Sequence, residues 1–167
     1  MGIAAKRLPQ GHLCWEVAVI FVSIGTTDFD ALVQAMDNLS LSLSEKVVMQ
    51  IGRSKYIPEH CEYFRFAPSL TPYYERASLV VSHGGQGIVT EVLKCGLPLV
   101  AVEDPSQPDR HQREILSVRE QEGHLIWCKD LRGLPQAMER AKTQLRPYTA
   151  PECWIHTIVA QFLDSPE

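Results

Sequence analysis

Short apolar runs, rich in β-branched residues, recur along this chain at Val17–Ser23, Val47–Ile51, Leu79–Val81 and Leu99–Val102. Runs of this length predict strands covered on both faces. Between the first two, Phe29, Leu32, Val33, Met36 and Leu39 return at helical spacing, and Asp28 stands where it could cap that helix. Tyr63–Phe66 reads as a short third strand and Leu70–Arg76 as a short helix. After Leu79–Val81 come Gly84, Gly85 and Gly87, which open a helix ending at Lys94-Cys95-Gly96, with Pro98 just beyond. The remainder predicts a helix over Arg110–Glu122, a strand over His124–Cys128, and helices over Leu131–Thr143 and Ala150–Phe162, the last with Trp154, Ile158, Val159 and Phe162 on one face.

Strands and helices alternate from end to end. This predicts an α/β fold: a doubly wound, mainly parallel sheet with helices on both faces and right-handed crossovers. Residues 17–167 read as a single domain, and residues 1–16 as a lead without regular structure. The first and fourth strands should be neighbours. The loops at 24–28 and 83–87 would then face one crevice at the carboxyl ends of the strands.

Composition narrows the function classes. The 167 residues are 45% hydrophobic, enough for one core, and the formal net charge of −4 argues against an electrostatic grip on nucleic acid. Cys14, Cys61, Cys95, Cys128 and Cys153 are scattered, with no Cys-x-x-Cys pair, and read as reduced thiols of a cytoplasmic protein. No apolar run approaches a membrane span, and the first 16 residues lack the apolar segment of a signal peptide.

The candidate chemistry lies in the two glycine loops, Gly25-Thr26-Thr27 and His83-Gly84-Gly85-Gln86-Gly87. Glycines at a helix start let backbone N–H groups approach an anion at the positive end of the helix dipole, and two such loops suggest a diphosphate between them. Neither fits the P-loop pattern, and no G-x-G-x-x-G follows the first strand, so ordinary ATPase and NAD-binding readings are weaker. Tight turns alone would also explain the glycines. Glu91, four residues past Gly87, could reach both hydroxyls of a ribose, or be a solvated helix residue. His111 and Gln112 offer mixed donors and acceptors suited to sugar hydroxyls. Asp28-Phe29-Asp30 has the D-x-D form of some metal sites, but capping and dipole stabilisation explain both acids, and no metal is expected.

Taken together, Ile20-Phe-Val-Ser-Ile-Gly-Thr-Thr with Phe29-Asp30, Gln50-Ile-Gly, Cys61-Glu-Tyr, Ser82-His-Gly-Gly-Gln-Gly, Glu91, Gly96-Leu-Pro and His111-Gln112 resemble the donor-binding, carboxy-terminal half of family-28 GT-B glycosyltransferases. The resemblance runs from about Val19 to Asp130 and extends to the small Alg13-like and PssE-like subunits, with PssE-like subunits looking most similar. It implies a Rossmann-like domain in which Gly25, Thr26 and Thr27 face the diphosphate and sugar. Phe66 and Ala67 would lie where backbone reads the uracil edge. His83, Gly84, Gly85, Gln86 and Gly87 would hold the diphosphate, Glu91 the ribose, and His111 and Gln112 the donor sugar. It further implies a two-component, inverting, metal-independent transferase of a UDP-sugar hexose, GlcNAc or galactose, in polysaccharide or glycolipid synthesis. By the same resemblance the acceptor would be lipid-linked, and a membrane-anchored Alg14-like or PssD-like partner would hold it, supply the general base and recruit this chain to the cytoplasmic face. Self-association of the isolated chain stays open. A UDP-sugar sensor or accessory subunit without turnover is the rival expectation.

Overall fold

The computed structural model describes residues 18–105, 110–150 and 159, without the side chains of Arg110 and His111. The elements run β1 (Val19–Ser23), α1 (Asp30–Ser40), β2 (Lys46–Gln50), β3 (Glu62–Phe64), α2 (Thr71–Tyr74), β4 (Ala77–Ser82), α3 (Gln86–Lys94), β5 (Leu99–Val102), α4 (Arg110–Gln121), β6 (Ile126–Cys128) and α5 (Leu134–Gln144). The strands form one sheet in the order β3-β2-β1-β4-β5-β6, every pairing parallel. Strand order therefore reverses between β1 and β4, the switch point where open α/β sheets bind ligands.

Period-two alternation along β1 sorts its side chains between two cores. Ile20 and Val22 pack with Leu32, Val33 and Met36 of α1 and with Leu134, Ala137 and Met138 of α5. Val19 and Phe21 point to the opposite face, onto Val89 and Val92 of α3, Leu116 of α4 and Tyr74 of α2. With helices covering both faces, β1 is buried at all five positions, which is why it reads as an unbroken apolar run. Phe21 is fully buried, stacked on Tyr73 (centroids 5.2 Å apart) and edge-on to Tyr74 (5.8 Å).

Local rules mislead at a few boundaries. Asp28 does not cap α1: the residue at that position is Phe29, with no side-chain cap bond. Asp30 instead turns its carboxylate to the loop after β2, accepting from the Ser54 hydroxyl, from Lys55 N at 2.7 Å and from Tyr56 N at 3.1 Å. Two turns further along α1 the fully buried Asp37 repeats the arrangement. It accepts from the Tyr56 hydroxyl (2.9 Å) and from the backbone N–H groups of Glu59, His60 and Cys61 (2.8, 2.9 and 3.1 Å). Burial works to raise the Asp37 pKa, but these donors win and hold it below the ordinary carboxylate range. Two acids of one helix thus fasten loop 53–61. The expected strand at Tyr63–Phe66 is Glu62–Phe64, and that at His124–Cys128 begins only at Ile126. The single helix expected over Leu131–Thr143 is a 3₁₀ turn, Leu131–Gly133, followed by α5. The Asp130 carboxylate accepts from Arg132 N and starts the turn, and a proline in the first turn of α5 restarts the chain as α-helix. The lead at 1–16 and most of the helix expected at Ala150–Phe162 fall outside the described residues.

Candidate donor-binding site

Three neighbouring strands end in buried polar residues aligned in register: Gln50 on β2, Ser23 on β1 and Ser82 on β4. Ser23 Oγ donates to Gln50 Oε1 at 2.6 Å, and Ser82 Oγ accepts from Gly84 N at 3.2 Å. Buried polar groups must be paired: Ser23 is tied sideways to β2, and Ser82 holds the first turn of its own glycine loop where it leaves the sheet. Above this row opens a cavity of about 770 Å³. Gly25, Thr26 and Thr27 line it from β1, and His83, Gly85, Gln86, Gly87 and Glu91 from β4 and α3. The two loops expected to meet do so.

Each loop turns where only glycine is comfortable. Gly25 has φ +65° and Gly84 φ +76°. The close approaches differ in purpose. A Cβ on Gly85 would lie 2.4 Å from His83 Nε2, and one on Gly25 would lie 3.3 Å from His83 Cε1, so both glycines make room for the imidazole. Gly84 faces away from the cavity lining, toward Leu116 and Gln112 of α4, whereas Gly87 opens on free space at the start of α3. The first N–H groups of a helix lack partners within it, so the Gln86–Ile88 turn presents donors and the positive dipole end to the cavity. Burial lowers the His83 pKa, against the opposing pull of the Ser23 backbone and the Asp104 charge, so the ring is neutral at pH 7.

On the far wall Ala67 lines the cavity, with Phe66, 43% exposed, beside it and outside the lining. Gln112 reaches the glycine loop from behind, its amide donating to the His83 carbonyl at 2.6 Å, and is also outside the lining. The side chain of His111 and residues 106–109 lie outside the described set. Glu91 is exposed and accepts from the hydroxyl of Tyr74 at 3.1 Å. Tyr74, Gln50, Lys94 and Cys95 all line the cavity and were not among the expected site residues. Gln50 carried a signal, as a polar residue ending an apolar run. Tyr74 carried none, since α2 is only four residues long and has no periodicity to orient it.

Among the described residues, no three His, Cys, Asp or Glu side chains are grouped as a metal ion would need. Asp30 of the D-x-D sequence is engaged by loop 53–61. No described helix is long and apolar enough to cross a membrane. Cys61, Cys95 and Cys128 are free thiols.

A doubly wound parallel sheet with paired glycine loops at its switch point, and a carboxylate on the helix between them and the next strand, defines a nucleotide-type binding domain. Comparison with known proteins makes this specific. Residues 19–149 match the model of the glycosyltransferase family 28 C-terminal domain, and the chain belongs to that family. It is 36% identical over 122 residues to the UDP-N-acetylglucosamine transferase subunit ALG13 of Homo sapiens, a match covering 65% of this chain and 11% of the human protein. The chain thus spans about a tenth of that relative's length. An NMR structure of ALG13 superposes with a TM-score of 0.60 at 18% identity, over 89% of this chain and 96% of that one. The glycosyltransferase VinC, in complex with dTDP, superposes with a TM-score of 0.59 at 14% identity, over 81% of this chain and 37% of VinC. The architecture is that of the carboxy-terminal half of a GT-B glycosyltransferase.

Proposed function

We propose that this chain is the donor-binding half of an inverting glycosyltransferase, taking a UDP-sugar and acting with a separate acceptor-binding chain. The observation that carries the reading is the cavity at the β1/β4 switch, where two glycine loops, the start of α3 and the Glu91 carboxylate line one space. The diphosphate sits at the start of α3 against Gly85–Gly87 and the Gly25–Thr27 loop, and the ribose against Glu91. The uracil lies along the wall at Ala67, next to Phe66. Gln112 acts through the His83 carbonyl, and His111 is its neighbour at the same helix start. The name of the human relative supports UDP-GlcNAc as the donor.

In the reaction an acceptor hydroxyl attacks the anomeric carbon as its bond to the β-phosphate oxygen breaks, with inversion. Negative charge grows on the departing UDP. The N–H groups at the start of α3 and the helix dipole are placed to stabilise it without a cation. His83, neutral and wedged between two glycines, adds a fixed dipole there without itself carrying charge. The base that takes the acceptor proton, and the lipid-linked acceptor itself, belong to a membrane-anchored partner of the Alg14-like or PssD-like kind. That partner draws this chain to the cytoplasmic face for glycolipid or polysaccharide synthesis. The word "subunit" in the relative's name supports a shared assembly.

Isothermal titration of the full chain with UDP and UDP-GlcNAc, with and without EDTA, tests the donor site. Metal-independent UDP binding that falls more than tenfold in Glu91→Ala is the expected result. Undiminished binding in Glu91→Ala, or binding of NAD in place of UDP, overturns it. Donor binding with no transfer when the partner is added turns the reading to a sensor.

A further inference from the structure

Glu91 is surface-exposed, and a glutamate so placed ordinarily samples many rotamers. Here Oε2 is held by the Tyr74 hydroxyl at 3.1 Å. That hydroxyl is itself anchored. Tyr74 is only 4% exposed, and its ring packs edge-on against Phe21 of β1, which has no exposure at all. The hydrogen bond joins two walls of the cavity. Tyr74 ends α2, directly after the Ala67–Thr71 segment, while Glu91 stands on α3 behind the glycine loop. With Oε2 accepting one hydrogen bond from Tyr74, the exposed carboxylate keeps Oε1 and a second lone pair of Oε2 as adjacent acceptors for a ligand in the cavity. Two adjacent acceptors in a fixed plane match a vicinal diol. A 2′-deoxyribose offers them one donor instead of two. The fold does not itself make this choice, since VinC carries a thymidine nucleotide on the same architecture.

We propose that Tyr74 is a positioning residue for Glu91, and that the pair selects a ribonucleoside diphosphate over its 2′-deoxy counterpart. This rests on the cavity being the donor site. Burial, with the Glu91 charge beside it, pushes the Tyr74 hydroxyl above the usual phenol range. The group therefore stays protonated, as a donor, wherever the protein is studied. Ordering Glu91 before the ligand arrives removes a rotamer cost from binding, and a carboxylate held in one plane penalises a missing hydroxyl by leaving an acceptor without a partner.

The test is a double-mutant cycle on the full chain, measuring affinities for UDP and 2′-deoxy-UDP in wild type, Tyr74→Phe, Glu91→Ala and the double variant. Wild type should prefer UDP by about tenfold, the worth of one hydrogen bond to a charged acceptor. Tyr74→Phe should weaken UDP binding by about fivefold to tenfold and 2′-deoxy-UDP binding by less, so the preference shrinks. In Glu91→Ala the preference should vanish, and adding Tyr74→Phe should change nothing further. The phenylalanine keeps every ring contact, and the ratio of the two affinities is independent of the fraction of protein folded. Equal losses for both nucleotides, no loss for either, or a Tyr74→Phe effect that survives in the Glu91→Ala background overturns the proposal. A folded wild type that binds neither nucleotide strikes at the donor-site reading, and this inference falls with it.

Discussion

Replacing Asp37 by asparagine perturbs how the loop behind the cavity is held. The wild-type carboxylate has no exposure and accepts four hydrogen bonds, two on each oxygen: His60 N and Cys61 N on Oδ1, the Tyr56 hydroxyl and Glu59 N on Oδ2. An asparagine can turn its oxygen to only one of these pairs; facing the other, its amide nitrogen can donate to a rotated Tyr56 hydroxyl but meets the Glu59 N–H head-on. A donor left without a partner costs about 1–3 kcal/mol, and that is the expected loss. For a chain of this size that lowers Tm by roughly 5 °C. Urea unfolding at a series of pH values is the assay. The Asp37 pKa is depressed in the folded state, so its contribution is complete above the unfolded carboxylate value, near 4, and is lost as pH falls through the lower folded value. The stability gap between wild type and Asp37→Asn should therefore be widest at pH 5–7 and narrow toward pH 2. A gap under about 1 kcal/mol at pH 7, or one that does not change on acidification, refutes the reasoning, because unpaired donors of this kind cannot cost so little.

Gly85 has φ −62° and ψ 135°, a conformation open to alanine, yet an alanine Cβ would collide with the His83 ring. Gly85→Ala should lower Tm by roughly 5 °C through the clash with His83, while UDP affinity, titrated well below the transition, falls about tenfold or more; unchanged affinity in the folded variant refutes the placement of the diphosphate. Cys95 is exposed and lines the cavity, whereas burial pushes the thiols of Cys61, to about 12, and Cys128 upward. N-ethylmaleimide at pH 7.5, read peptide by peptide in a mass spectrometer, should label Cys95 before Cys61 and Cys128, and saturating UDP should slow that labelling several-fold. A Cys95 rate indifferent to UDP counts against occupation of this end of the cavity.

Much of the sheet could be read from sequence because the central strands are buried on both faces, which favours short, nearly continuous apolar runs rich in β-branched residues. Val19–Ser23, Ala77–Ser82 and Leu99–Val102 announce themselves that way. The edge strands Glu62–Phe64 and Ile126–Cys128 are three residues each and half-exposed in part, so their boundaries blur. In the site, Gly25 and Gly84 were legible because positive φ restricts residue type locally. Tyr74, seventeen residues from its partner Glu91, was not, because the contact exists only once α2 and α3 are docked on β4. Asp28 and Asp30 show the converse failure. A helix-start acid is a local rule, and a loop 24 to 26 residues downstream offered Asp30 three donors instead. Gln112 looked like a sugar ligand because its chemistry fits one, but reaching the His83 carbonyl depends on how α4 crosses the sheet end.

Gly52, the residue after Gln50-Ile51, lies directly behind the first glycine loop. A Cβ there would stand 2.6 Å from the carbonyl oxygens of both Gly25 and Thr27, and the next residue's N–H, on Arg53, donates to Thr27 O at 2.9 Å. Backbone thus rests on backbone, and that backing is itself fastened by Asp30 and Asp37. The consequence is mechanical. The Gly25–Thr27 segment has a hard stop on its inner side and cannot recede to admit a bulkier ligand. It behaves as a fixed mould, with its ordering entropy already spent during folding. Any adjustment around a bound ligand must then come from the other walls of the cavity, the Ala67–Thr71 segment or α3.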